Sequence, residues 1–155
     1  MTSFDDVYKN FLSKVTDDMY MELSPEDTVG LLNDLLLGSL HYFEFPRQNI
    51  YDLDLDAQYF MIDLTTEEQN IIATYMIVEW LGYQLASVEN VRMKYSGSDF
   101  KFTSQANHMQ KLLQLKKDYE RLGFKLQRLY KRRRADNKGI MRSTFGDIMK
   151  PIEGA

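Results

Sequence analysis

Cysteine is absent from this chain of 155 residues, which removes disulfide frameworks, thiolate metal sites and cysteine nucleophiles from consideration. That absence fits a protein assembled inside a cell. Histidine is nearly absent as well: His41 and His108 stand far apart, and neither belongs to an HExxH pattern. Glycine-rich phosphate loops and GxSxG elbows are missing. Asp52, Asp54 and Asp56 resemble the start of a calcium loop, but Leu53 and Leu55 intervene, and the turn glycine and closing glutamate are not in place. A solvated acidic loop is the default for that run. No stretch approaches the roughly 18 apolar residues of a membrane span, and Met1-Thr2-Ser3-Phe4-Asp5-Asp6 has no basic segment leading into an apolar one. The expectation is a chain that is neither exported by a signal peptide nor membrane-bound, with no cofactor, no metal and no enzymatic activity.

What the sequence does have is apolar content, 44% of residues, enough to fill the one core expected at this length. It also has a charge split. Residues 1 to 70 carry 3 Lys/Arg against 15 Asp/Glu, a balance of -12; residues 71 to 155 carry 16 against 8, a balance of +8. An asymmetry of this size suggests complementary surfaces, between copies of the chain or toward an acidic partner. Two solvated faces would give the same numbers.

Helix signals recur along the chain. Ser3 is placed to cap a first helix of about four turns whose apolar face is Phe4, Val7, Tyr8, Phe11, Leu12 and Val15, ending at Thr16-Asp17-Asp18. Ser24-Pro25-Glu26-Asp27 starts a second, with Val29, Leu32, Leu36, Leu40 and Phe43 at spacings of three and four, closing before Pro46. Glu44 to Leu64 reads as an acidic connecting loop with room for a short β-ribbon. Thr65 and Glu68 form a capping box with Leu64 as staple, and Ile71 to Tyr83 is apolar nearly all round, so the third helix is expected to be the buried centre, with Trp80 inside the core. After the breaker Ser96-Gly97-Ser98-Asp99, Ser104 is expected to cap a long fourth helix. Its apolar seam is Leu112, Leu115, Tyr119, Leu122, Leu126 and Leu129, interrupted by Gly123, which marks a bend or a close approach. That helix is expected to fade after Arg134, with Asp136-Asn137-Lys138-Gly139 as the stop.

The reading is therefore an all-α bundle of about four helices over residues 1–134, with one long C-terminal helix and an extended C-terminal tail over residues 135–155. The tail holds Ile140, Met141, Phe145, Ile148 and Met149 between glycines and a proline. It has too little periodicity for a helix and too many apolar residues for an inert appendage, which points to ordering on a partner. Lys131-Arg132-Arg133-Arg134 is the strongest electrostatic feature. It suits phosphate contacts, and the plainer account of it is the C-terminal end of a helix, where cations complement the macrodipole. The candidate partner-binding set is Arg132, Arg133, Arg134 and Arg142 as charges, with Ile140, Met141, Phe145, Ile148 and Met149 as apolar anchors.

Several motifs together resemble a known family: Phe4-Asp5-Asp6-Val7-Tyr8, Asp63-Leu64-Thr65-Thr66-Glu67-Glu68, Val78-Glu79-Trp80-Leu81 and Phe100-Lys101-Phe102-Thr103-Ser104-Gln105-Ala106-Asn107-His108. From Phe4 to about Arg134 the chain is similar to the small helical head-to-tail connector (adaptor, or neck) proteins of tailed bacteriophages. The resemblance implies a helical bundle that forms a ring, about twelve copies in that family, beneath the portal, in the neck of a virion assembled in host cytoplasm. It implies as partners the portal protein, a tail or head-completion protein and further copies of the chain, with genomic DNA passing nearby and no sequence-specific binding. It implies Ile140 to Ala155 as the portal-engaging segment and no catalytic residues. The long acidic linker Glu44 to Leu64 departs from a minimal member of the family. Two alternatives stand beside this one: a helical nucleic-acid-binding regulator using the basic C-terminal helix, and a small cytosolic interaction module.

Overall fold

A computed structural model describes residues 1–15, 24–94 and 102–145. Among them the chain is mostly helical with four helices, and two small antiparallel sheets accompany the helices. Helix α1 (Phe4–Leu12) follows the short strand β1 (Thr2–Ser3), and the Ser3 hydroxyl accepts from the Asp5 amide at 3.2 Å, as its position in the sequence implies. The helix is shorter than expected. Beyond Leu12 the Lys14 and Val15 amides bond three residues back, to Phe11 and Leu12, and the Ser13 hydroxyl donates to the Asn10 carbonyl, so the last turns tighten and stop. The expected end at Thr16-Asp17-Asp18 lies outside the described residues.

Helix α2 (Pro25–Leu40) opens as read, with Ser24 accepting from the Asp27 amide at 3.1 Å and Pro25 in the first turn. It buries Leu32, Leu35, Leu36 and Leu40, while Val29, expected on that face, stands exposed. Between α2 and the third helix the chain forms strands β2 (Leu53–Asp54) and β3 (Tyr59–Phe60). The ribbon becomes a three-stranded antiparallel sheet because β1 adds to it, Thr2 opposite Phe60 and Phe60 opposite Leu53. The Thr2 hydroxyl also accepts from the Leu64 amide at 2.8 Å, so the start of the chain and the entrance to the third helix are held together.

Helix α3 (Thr66–Lys94) is the centre of the core. Its capping box is reciprocal: Thr65 N–H donates to Glu68 Oε2 at 2.8 Å, and Glu68 N–H donates to Thr65 Oγ1 at 3.2 Å. Every residue from Ile71 to Val78 is buried, and α3 packs against α1, α2 and the fourth helix. Trp80 is a correction: it is half-buried and packs against the cluster from its edge, while the next residue, Leu81, takes the fully buried position on the core face of α3.

Helix α4 (Phe102–Arg132) runs along α3. It begins before Ser104, which falls inside its first turn and is not its cap. The expected apolar seam divides in two. Leu112, Tyr119 and Leu126 pack on the core in line with Gly123 and the fully buried Tyr130, whereas Leu115, Leu122 and Leu129 are exposed. A helix that leans mainly on one neighbour buries one narrow row, and a stripe spaced three and four is wider than that row.

Candidate partner-binding site

The basic end of α4 is held by a run of packing and polar contacts that begins at Gly123 and ends on the buried Tyr130–Glu68 hydrogen bond. A Cβ on Gly123 would sit 2.6 Å from the Tyr75 ring, so glycine permits a close approach there. Tyr75 stacks on Tyr42 with ring centres 5.1 Å apart. One turn on, Gln127 donates to the Tyr42 carbonyl at 2.7 Å and to the Tyr75 hydroxyl at 2.6 Å, and accepts from the Glu44 amide at 2.9 Å. Tyr130 follows. Its hydroxyl donates to Glu68 Oε1 at 2.6 Å and accepts from the Arg47 amide at 3.0 Å. The Arg47 guanidinium lies 4.0 Å over the Tyr130 ring and donates to the carbonyls of Tyr130 and Arg133. Burial, then the hydrogen bond to Glu68, pushes the Tyr130 hydroxyl up to about 12. Glu68 is thus a buried carboxylate whose four hydrogen bonds offset its desolvation, from Thr65 N–H, Thr65 Oγ1, Gln48 and Tyr130.

Beyond this anchor the described residues, through Phe145, do not run out as an extended tail. Strand β4 (Arg133–Ala135) pairs antiparallel with β5 (Met141–Ser143), Arg134 opposite Arg142, in a hairpin that straddles the expected boundary at residue 135. The residues read as a helix stop make its turn: Gly139 has φ +75°, and Asp136 Oδ1 accepts from the Lys138 and Ile140 amides, each at 2.9 Å. Arg142 donates to Asp136 Oδ2 at 2.6 Å, and that bond chiefly holds the Asp136 carboxyl below its ordinary range. The pairing also offsets the cross-strand repulsion between Arg134 and Arg142. The hairpin is fastened to α4 by the Thr144 amide donating to the Arg132 carbonyl at 2.7 Å.

The candidate residues therefore have different standings. Arg133 is committed to an ion pair with Glu67 at 2.9 Å, and Arg142 to Asp136, so neither is a free charge. Arg132 and Arg134 are exposed and form no ion pair with a described residue. Ile140, Met141 and Phe145 are exposed together on or beside the hairpin, Phe145 at 70%. Ile148 and Met149 lie outside the described residues. No protein-family model, curated protein or solved structure matches the chain.

Sequence reading missed Arg47, Glu68, Tyr130 and Asp136 as the parts that support this end of the molecule. Glu68 was legible only as half of a capping box; Tyr130 lies one residue beyond the seam. Among the described residues there is no cluster of side chains able to hold a metal, and no helix is long and apolar enough to cross a membrane. Chemically, the arrangement offers exposed cations beside exposed apolar side chains on a braced β-hairpin, a surface suited to binding a protein segment.

Proposed function

We propose that the chain is a structural connector of a tailed-phage virion, assembling as a ring in the neck and bridging portal and tail components, with the end of α4 and the residues after it engaging the portal. The observation that supports this reading best is the hairpin. A two-stranded ribbon is marginal by itself, yet here it is pinned through Arg47 to the buried Tyr130–Glu68 pair while Ile140, Met141 and Phe145 are left in solvent. Exposed apolar residues on a braced projection favour a partner that covers them. With Arg133 and Arg142 already paired within the chain, the cations free for phosphate contacts are fewer than the sequence offers, and this favours a protein partner over a nucleic acid.

The test is a chain shortened after Ala135, which keeps Tyr130 and its partners. It should fold with its helical content nearly unchanged and fail to enter particles that lack the full-length protein. Normal incorporation would place the contact elsewhere, and salt-dependent binding of duplex DNA by the full chain at physiological ionic strength would favour the regulator instead.

A further inference from the structure

Two features remain unexplained by the hairpin, and they are complementary. The first is the tip of the β2–β3 ribbon. Leu55 is 52% exposed between Asp54 and Asp56, and the turn that presents it is tightly built. The Ala57 amide donates to Asp54 Oδ1 at 2.9 Å, Gln58 adopts φ +59°, its carbonyl accepts from the Phe4 amide at 3.0 Å, and the Met61 amide closes the ribbon on the Asp52 carbonyl at 2.9 Å. A leucine held out in water by a fixed turn is a preorganised knob.

The second is a cleft of about 150 Å³ at the other end of the charge scale. Phe43 and Tyr130 belong to its lining from the core, and Phe45 and Phe124, both largely exposed, line it as well. Lys131 sits 4.3 Å over the Phe45 ring and Arg128 5.5 Å from the Phe124 ring, against one acid, Glu44. A cavity of roughly this volume accommodates a benzene-sized group, so a leucine side chain suits it.

We infer that the Leu55 tip of one copy seats in the Phe45–Phe124 cleft of the next, with Asp54 and Asp56 facing Arg128 and Lys131. Knob and cleft share no residue, and where each copy offers its knob to one neighbour and its cleft to the other the contact is heterologous, a series that closes as a ring if its rotation divides a full turn. The acid-rich linker then has a role, and the split of charge along the chain becomes head-to-tail complementarity. The inference rests on the connector reading for its ring and specifies which surfaces meet.

The absence of cysteine makes the test direct. Full-length Leu55→Cys and Phe45→Cys proteins, mixed and oxidised, should yield disulfide-linked dimers containing one of each, at least about tenfold above either protein alone, since bridging needs Cα atoms within roughly 7 Å. Lys131→Glu and Asp56→Lys should each weaken self-association in sedimentation by about tenfold or more, and the two combined in one chain should recover most of it. Absence of the mixed crosslink overturns the contact, as does Leu55→Cys crosslinking equally well to itself. The connector reading is judged separately, by incorporation into particles: a chain that enters particles yet gives no mixed crosslink refutes this interface and leaves that reading standing.

Discussion

Replacing Tyr130 with phenylalanine removes a single oxygen and keeps the ring that packs edge-on against Phe43, with centres 5.3 Å apart, and lies under the Arg47 guanidinium. The oxygen matters because Glu68 is 1% exposed, and its Oε1 receives the Tyr130 hydrogen bond while Thr65 and Gln48 serve Oε2. A hydrogen bond to a buried charge contributes about 1.5–3 kcal/mol, and stranding its acceptor costs in the same range. The Arg47 amide loses its acceptor too. A loss of about 2–3 kcal/mol follows, a large share of the roughly 5–15 kcal/mol typical of a domain. In urea, with a slope near 2 kcal/mol/M, the midpoint should fall by about 1 M with the slope unchanged. Pairing the change with Glu68→Gln in a double-mutant cycle should give a coupling of about 1–2 kcal/mol. A midpoint shift below about 0.3 M would refute the claim that this contact braces the end of α4.

Gly123→Ala should destabilise by about 1–3 kcal/mol despite alanine's better helix propensity, because the added methyl meets a Tyr75 ring that cannot retreat from its stack on Tyr42; thermal denaturation reads the sign. Tyr8 and Tyr130 are both pushed up to about 12, each mainly by burial, from an ordinary value of 10.0. Their neutral forms are favoured in the fold, so the stability they contribute is complete below pH 10 and is lost as pH rises toward about 12. Tm should fall over that window, less steeply in Tyr130→Phe, and phenolate absorbance should lag behind that of the unfolded chain. Asp136 has the opposite sign: its lowered value means the hairpin's stabilisation is present above the ordinary carboxyl range and lost as pH falls through the lowered value. Amide NMR signals of residues 133–143 should therefore shift in acid while those of α3 hold, and Asp136→Asn should abolish that acid transition.

Local signals were legible where the physics is local. Ser3, Ser24 and the Thr65–Glu68 box cap the helices they were assigned to, since a capping hydroxyl needs only its next two or three residues. Gly123 was legible as a bend or a close approach; that it is an approach, and that the ring it admits is Tyr75, was not, because Tyr75 comes from a different helix. The candidate charges show the same limit. Arg133 in the basic run and Arg142 in the tail look alike as charges in the sequence, and only the fold reveals that Glu67 and Asp136 occupy them.

The sequence by itself determined the helical class, the order of the four helices and the apolar content of the core, because these follow from caps, periodicity and composition within a few turns of chain. Tertiary structure alone decided that β1 completes a sheet more than fifty residues away, that α4 buries one row of its seam and exposes the other, that Trp80 sits at the core's edge, and that residues 133–143 turn back as a hairpin. Each of these depends on which distant surface supplies the missing contact. A pattern along the chain shows that a side chain can be buried; what covers it is set by partners that the pattern does not contain.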